Sequence, residues 1–220
     1  MKTKSAFTMI ELVFVIVVLG ILASLAMDRM DRDIKQEASE TILSHIRLTQ
    51  QLALRDNKHR SDNNPQWQRA YWNIQFRTCS NGDWSYRVGS NIGLENGGAN
   101  AISRDESAIN PIDGKYLWSA NCDNLANNES PSVHLSKKYG ISDIKRTNSC
   151  GNGQVAFDYL GRPHTDTNYA NSDFSKIMTQ NCNLTFTLST DQDNDGNNDT
   201  FIITIERETG HAFIVGQEAS

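Results

Sequence analysis

The densest set of metal-ligating side chains lies near the C-terminus, in Asp191-Gln192-Asp193-Asn194-Asp195-Gly196-Asn197-Asn198-Asp199. Four carboxylates this close repel one another, and a hard divalent cation held by oxygen ligands offsets the repulsion. The alternate spacing of Asp191, Asp193 and Asp195, with Gly196 at the turn, matches the first half of an EF-hand-like calcium loop. In that pattern the three aspartates supply side-chain oxygens, Asn197 a backbone carbonyl, and Asp199 a direct or water-mediated contact. The twelfth position is Ile202 rather than the bidentate glutamate, and the flanks read as strands rather than helices. The expected cofactor is therefore a calcium ion in an incomplete loop, and the competing reading is a solvated acidic hairpin.

A second carboxylate stands out by its surroundings. Glu11 lies inside SAFTMIELVFVIVVLGILASLAM, an apolar block after a short lysine-containing leader, with no other charge until Asp28. An ionised group deep in hydrocarbon costs about 3 kcal/mol even on the lenient insertion scale, so such a residue needs a partner. The four cysteines, Cys79, Cys122, Cys150 and Cys182, form no CxxC pair, and the five histidines are scattered, which argues against zinc and haem. An even number in an oxidising compartment points to two disulfides with three pairings open. Cys79–Cys122 with Cys150–Cys182 is favoured because each closes a local loop. There is no GxSxG elbow, Walker A loop, HExxH helix or dinucleotide fingerprint, so the chain reads as a non-enzyme.

Long elements must position these residues. No proline occurs before Pro65, and helix-compatible residues run on from the apolar block. At 100° per residue, Ile34, Ala38, Ile42, Ile46, Leu48, Thr49, Leu52 and Ala53 share one face. One helix from about Met9 to about Lys58 would be about 75 Å long. Beyond it, Trp72-Ile74-Phe76 and Trp84-Tyr86-Val88 alternate around Ser80-Asn81-Gly82-Asp83, a hairpin signal. Further strands are expected within 132–141, 154–160, 184–188, 201–206 and 211–215. The expected fold class is α+β, a long N-terminal helix packed against a mainly antiparallel C-terminal sheet.

Ala6-Phe7-Thr8-Met9-Ile10-Glu11-Leu12, followed by the apolar block ending Leu19-Gly20-Ile21-Leu22-Ala23, resembles the N-terminal signature of type IV pilins and type II secretion pseudopilins. The resemblance implies cleavage by a prepilin peptidase between Ala6 and Phe7 and methylation of the new amine. The family motif usually has glycine where this chain has Ala6. It further implies that Glu11 pairs with the N-terminal ammonium of a neighbouring subunit and so sets register, which suits a buried carboxylate. The implied segments are a leader at 1–6, a transmembrane or filament-core half-helix at 7–27, a periplasmic half-helix at 28–60, and a sheet domain at 61–220. The stretch FDYLGRP and the later ERETGHAF resemble the C-terminal sheet of H-type minor pseudopilins and FimT-like minor pilins. Some secretion pseudopilins bind calcium in a C-terminal loop, which adds to the reading of the acidic loop.

The function so implied is that of a structural subunit, a minor pseudopilin of a type II secretion machine. It would be held in the inner membrane with its sheet domain in the periplasm and assembled with other subunits into a helical filament. The alternatives are a type IV pilus or DNA-uptake minor pilin on the same helix, and a secreted calcium-binding module released by an ordinary signal peptidase at Ala26. A net charge of −5 argues against nucleic acid as a bulk electrostatic partner.

Overall fold

The structure is a computed structural model. It describes residues 9–61, 64, 66–92, 101–122, 124–151, 153–169, 171, 173–191 and 195–218, with the side chains of 24–33 and 148 excepted. Helix α1 spans Met9–Arg55, 47 residues and about 70 Å. It ends three residues short of the expected Lys58, where the Asp56 amide turns back to the Ala53 carbonyl at 3.2 Å and a polar run follows. Glu11 in its first turn and Arg55 in its last both suit the helix dipole.

The elements after it are α2 (Gln66–Arg69), β1 (Trp72–Thr78), β2 (Trp84–Ser90), α3 (Leu135–Tyr139), β3 (Ile141–Asn148), β4 (Gln154–Phe157), β5 (Pro163–His164), β6 (Cys182–Leu188), β7 (Thr200–Ile205) and β8 (Ala212–Ile214). They form two four-stranded antiparallel sheets, ordered β2-β1-β4-β5 and β3-β6-β7-β8. The expected hairpin is β1–β2, with Phe76 opposite Tyr86 and Thr78 opposite Trp84. Gly82 supplies the left-handed residue its turn requires, at φ 89°.

Both sheets pack on the second half of α1. Ala38, Ile42, Ile46 and Ala53 are buried in one cluster with Ile74, Phe76, Phe157, Phe186, Ile203 and Ile214. Phe76 of β1 meets Phe186 of β6 edge-on at 5.7 Å, and Phe186 stacks on Phe201 at 4.9 Å, so the core is continuous across the two sheets. In β6 burial alternates strictly, with Cys182, Leu184, Phe186 and Leu188 inward, as a half-buried strand requires.

The strand expected within 132–141 is not there. Residues Pro131–Val133 form a 3₁₀ turn and Leu135–Tyr139 form α3, closed by Gly140 in the left-handed conformation at φ 69°. The strand begins only at Ile141. A side chain other than glycine would be strained at that cap, so the glycine ends the helix and releases the chain into β3.

Candidate assembly site

The first third of α1 stands outside the core that the described residues form. From Met9 to Ala23 every described side chain is exposed, Met9 at 86 % and Ile10 at 78 %, and the apolar residues cover all sides of the helix. A helix that is apolar all round is built to be surrounded by lipid or by other helices. Glu11 is its single charged side chain and is exposed. Among the described residues no helix is long and apolar enough to cross a membrane, the described side chains of the block ending at Ala23. Ala6 and Phe7, the expected cleavage pair, lie outside the described residues.

Farther along α1, the side chains that do not face the core hold the sheets by their carbonyls. Arg47 donates from Nε and Nη2 to the Ala212 carbonyl at 3.1 and 2.9 Å. Gln50 donates from Nε2 to the carbonyls of Gly161 at 2.9 Å and Thr209 at 2.7 Å. The helix is thus fastened to both sheets.

The acidic loop joins β6 to β7. Thr190 and Asp199 close its base, the Asp199 amide donating to the Thr190 carbonyl at 2.8 Å. Oδ2 of Asp191 accepts from the Gly196 amide at 3.0 Å, while Oδ1 is buried with no hydrogen-bond partner among the described residues. Oδ1 of Asp195 accepts from the Asn197 amide at 2.7 Å, and both residues are exposed. Asp199 pairs with Lys35 of α1 at 3.5 Å. Asp193 lies outside the described residues, and among those described no group of three or more His, Cys, Asp or Glu side chains is placed to hold a metal. Among the described residues of the loop, Asp191 Oδ1 is the buried oxygen left for a ligand, whereas Asp199 already answers a lysine.

Disulfides join Cys79 to Cys122 and Cys150 to Cys182, with Cα separations of 6.1 and 4.7 Å. The first ties the end of β1 to the long connection that crosses β2, and the second ties the end of β3 to the start of β6.

Sequence patterns do not reveal a buried polar string at the β4–β5 turn. His164 donates or accepts at Nδ1 with the Tyr169 hydroxyl and meets Asp158 at 3.2 Å through Nε2. Arg162 donates to the same Asp158 oxygen at 2.7 Å. Burial alone would raise the Asp158 pKa, but the partners His164 and Arg162 outweigh it and hold the carboxyl below its usual range. Asp158 and His164 are wholly buried. The second oxygen of Asp158 accepts from the amides of Leu160 and Arg162, each at 3.0 Å, so the string shapes the turn that Gln50 grips. Only FDYLGRPH hints at it, where the aspartate precedes a turn and the histidine ends the short strand β5.

A family model described as "Prokaryotic N-terminal methylation motif" matches residues 1–27. No curated protein and no solved structure matches the chain. The motif implies processing by a prepilin peptidase and assembly with other pilin subunits through the N-terminal helix. Together with an apolar half-helix that projects from an α+β domain, it supports a structural subunit of the type IV pilin-like kind.

Proposed function

We propose that the chain is a minor pseudopilin of a type II secretion pseudopilus, cleaved at Ala6-Phe7, held in the inner membrane by the first half of α1 with the sheets in the periplasm, and drawn from there into a helical filament. The observation that carries the reading is the single carboxylate, Glu11, on the apolar stretch 9–23 of α1, exposed on all sides. Neighbouring helices can replace lipid around such a surface, and only the charge distinguishes one stagger from another. Glu11→Ala should leave insertion and cleavage intact and reduce incorporation into filaments several-fold, read by cross-linking to other subunits in membranes. Incorporation at the wild-type level would remove the register role. Deleting the gene should block release of a folded secreted enzyme; loss of surface pili with release unchanged would favour the type IV pilus instead.

The acidic loop is proposed as a calcium site, supported by Oδ1 of Asp191, which is buried with no hydrogen-bond partner among the described residues. Asp191, Asp193, Asp195 and Asn197 would hold the ion, with Asp199 contributing only if it exchanges Lys35 for the ion. Affinity in the range of extracellular modules is about 10⁻⁴ to 10⁻³ M. Calorimetry on the full chain in neutral detergent should show one site that Asp193→Ala with Asp195→Ala abolishes. No heat and no thermal shift at about 10 mM calcium, well above that range, would leave a solvated hairpin.

A further inference from the structure

On the face of the first sheet turned away from α1, three strands set polar side chains in a row. The register places Arg87 of β2 opposite Gln75 of β1, and Gln75 opposite Gln154 of β4. Gln75 donates to Gln154 at 3.1 Å. Arg77, two residues along β1 on the same face, is the diagonal neighbour of Arg87. These residues line a cleft of about 480 Å³, the size of a small-ligand pocket, together with Gly153, Asp166 and Asn168.

Arg87 is only 9 % exposed, and its donors are partly spent on main-chain carbonyls: Nε and Nη2 on Ser119 at 3.1 and 2.7 Å, Nη1 on Ile102 at 3.2 Å. Its guanidinium also lies 4.9 Å from the Trp118 ring. Burial first, and the Arg77 charge second, hold its pKa down to about 10, with Glu129 offsetting them in part. A third arginine arrives from the other sheet. Nη1 of Arg146 lies 2.6 Å from where a Cβ on Gly153 would stand, so the missing side chain at 153 admits it to the rim. Among the described residues neither Arg77 nor Arg146 has a carboxylate partner, and Asp166 is engaged by Lys176 at 3.4 Å. In a chain of net charge −5, three arginines gathered where the one lining carboxylate among the described residues, Asp166, already answers a lysine are a cost that an anionic ligand would relieve.

We propose that this cleft binds a phosphate group. One arginine satisfies a carboxylate with its planar fork, whereas three guanidinium groups approaching from different strands match a tetrahedral oxyanion that offers acceptors in several directions. The amides of Gln154 and Asn168 add neutral donors to the same cleft. The group reaches the cleft either on a free phosphoanion or on a phosphodiester chain, and both present the same oxygens.

The test is calorimetric titration of inorganic pyrophosphate into the full chain in neutral detergent at low salt, with Trp118 as an optical reporter beside Arg87. One site is expected. Arg77→Gln, at a half-buried position, and Arg146→Gln, at an exposed one, should each weaken it about tenfold, the worth of a charged hydrogen bond, and together abolish it. Lys145→Gln, the neighbour on β3, should bind as the wild type does, and all variants should melt at the wild-type temperature. Competition by a short oligothymidylate assigns the group to a phosphodiester, and its failure to compete assigns it to a free phosphoanion. Absence of pyrophosphate binding, or equal weakening by Lys145→Gln, overturns the site. So does wild-type binding by the Arg77→Gln, Arg146→Gln double variant.

Discussion

His45 lies on the inner face of α1, with Nδ1 2.6 Å from the Tyr86 hydroxyl and Nε2 without a hydrogen-bond partner among the described residues. Burial lowers its pKa to about 4, which the neighbouring Asn110 and Asp113 only partly oppose. The folded form therefore holds a neutral ring while the unfolded chain takes a proton near pH 6.5. A depressed folded pKa gives stability that is full above pH 6.5 and is lost as pH falls towards 4, about 3 kcal/mol across the window. Thermal melting of the wild type should fall over that range, and His45→Gln should flatten this part of the profile. Asp158 acts lower, because its pKa is held below the ordinary carboxylate value. An unchanged profile in the His45 variant would assign the acid limb to the carboxylates. Nothing in the run of residues around His45 announces this role, since Tyr86 reaches it only after β2 has folded over the helix. Glu11 is legible for the opposite reason: its environment is set by its immediate neighbours in the chain.

Among the elements, the helix face and the β1–β2 hairpin are legible because each carries a regular period, and Ala38, Ile42, Ile46 and Ala53 are buried as the 3.6-residue repeat requires. Strand β3 is not. Its two apolar residues, Ile141 and Ile144, stand three apart, which puts them on opposite faces of a regular strand, yet both are buried. A register shift between Ile141 and Asp143 reconciles them, since one extra residue restores the inward face. That shift is fixed by pairing with β6, a partner about 40 positions away in a chain whose ladder geometry no local pattern encodes. Two glycines give an element-scale measurement. Gly210, at φ 69°, turns β7 into β8, and a Cβ there would stand 2.4 Å from the Gly161 carbonyl and 2.6 Å from Gln50 Nε2. Gly82, at φ 89°, has open space around it. Gly210→Ala should cost about 3 kcal/mol or more, backbone strain and a lost helix contact together, and Gly82→Ala about 1 kcal/mol from strain alone, both read by denaturant unfolding. Equal costs would show that the contact with α1 adds nothing to the turn.

At the scale of the whole molecule, a domain whose described core is buried around one half of a helix leaves the other half for different surroundings. Intact-mass analysis of protein extracted from membranes should find a chain beginning at Phe7 with a methylated amine; a chain beginning at Met27 would mark an ordinary secreted module. The pairing of Gln50 with Gly161 on one sheet and Thr209 on the other bears on a further property. If the subunit joins a filament through α1, as proposed above, load passed along the helix would reach the sheets across the seam between them. The bonds from Gln50 and Arg47 cross that seam from the helix to carbonyls of both sheets, beside the apolar contacts of Ile42, Ile46 and Ala53. Both cystine bridges lie within the sheet domain and outside this seam, so neither ties the helix to the sheets. Among the described residues no covalent bond other than the chain itself joins α1 to the sheets, so load along the helix would part this seam before it strained either bridge.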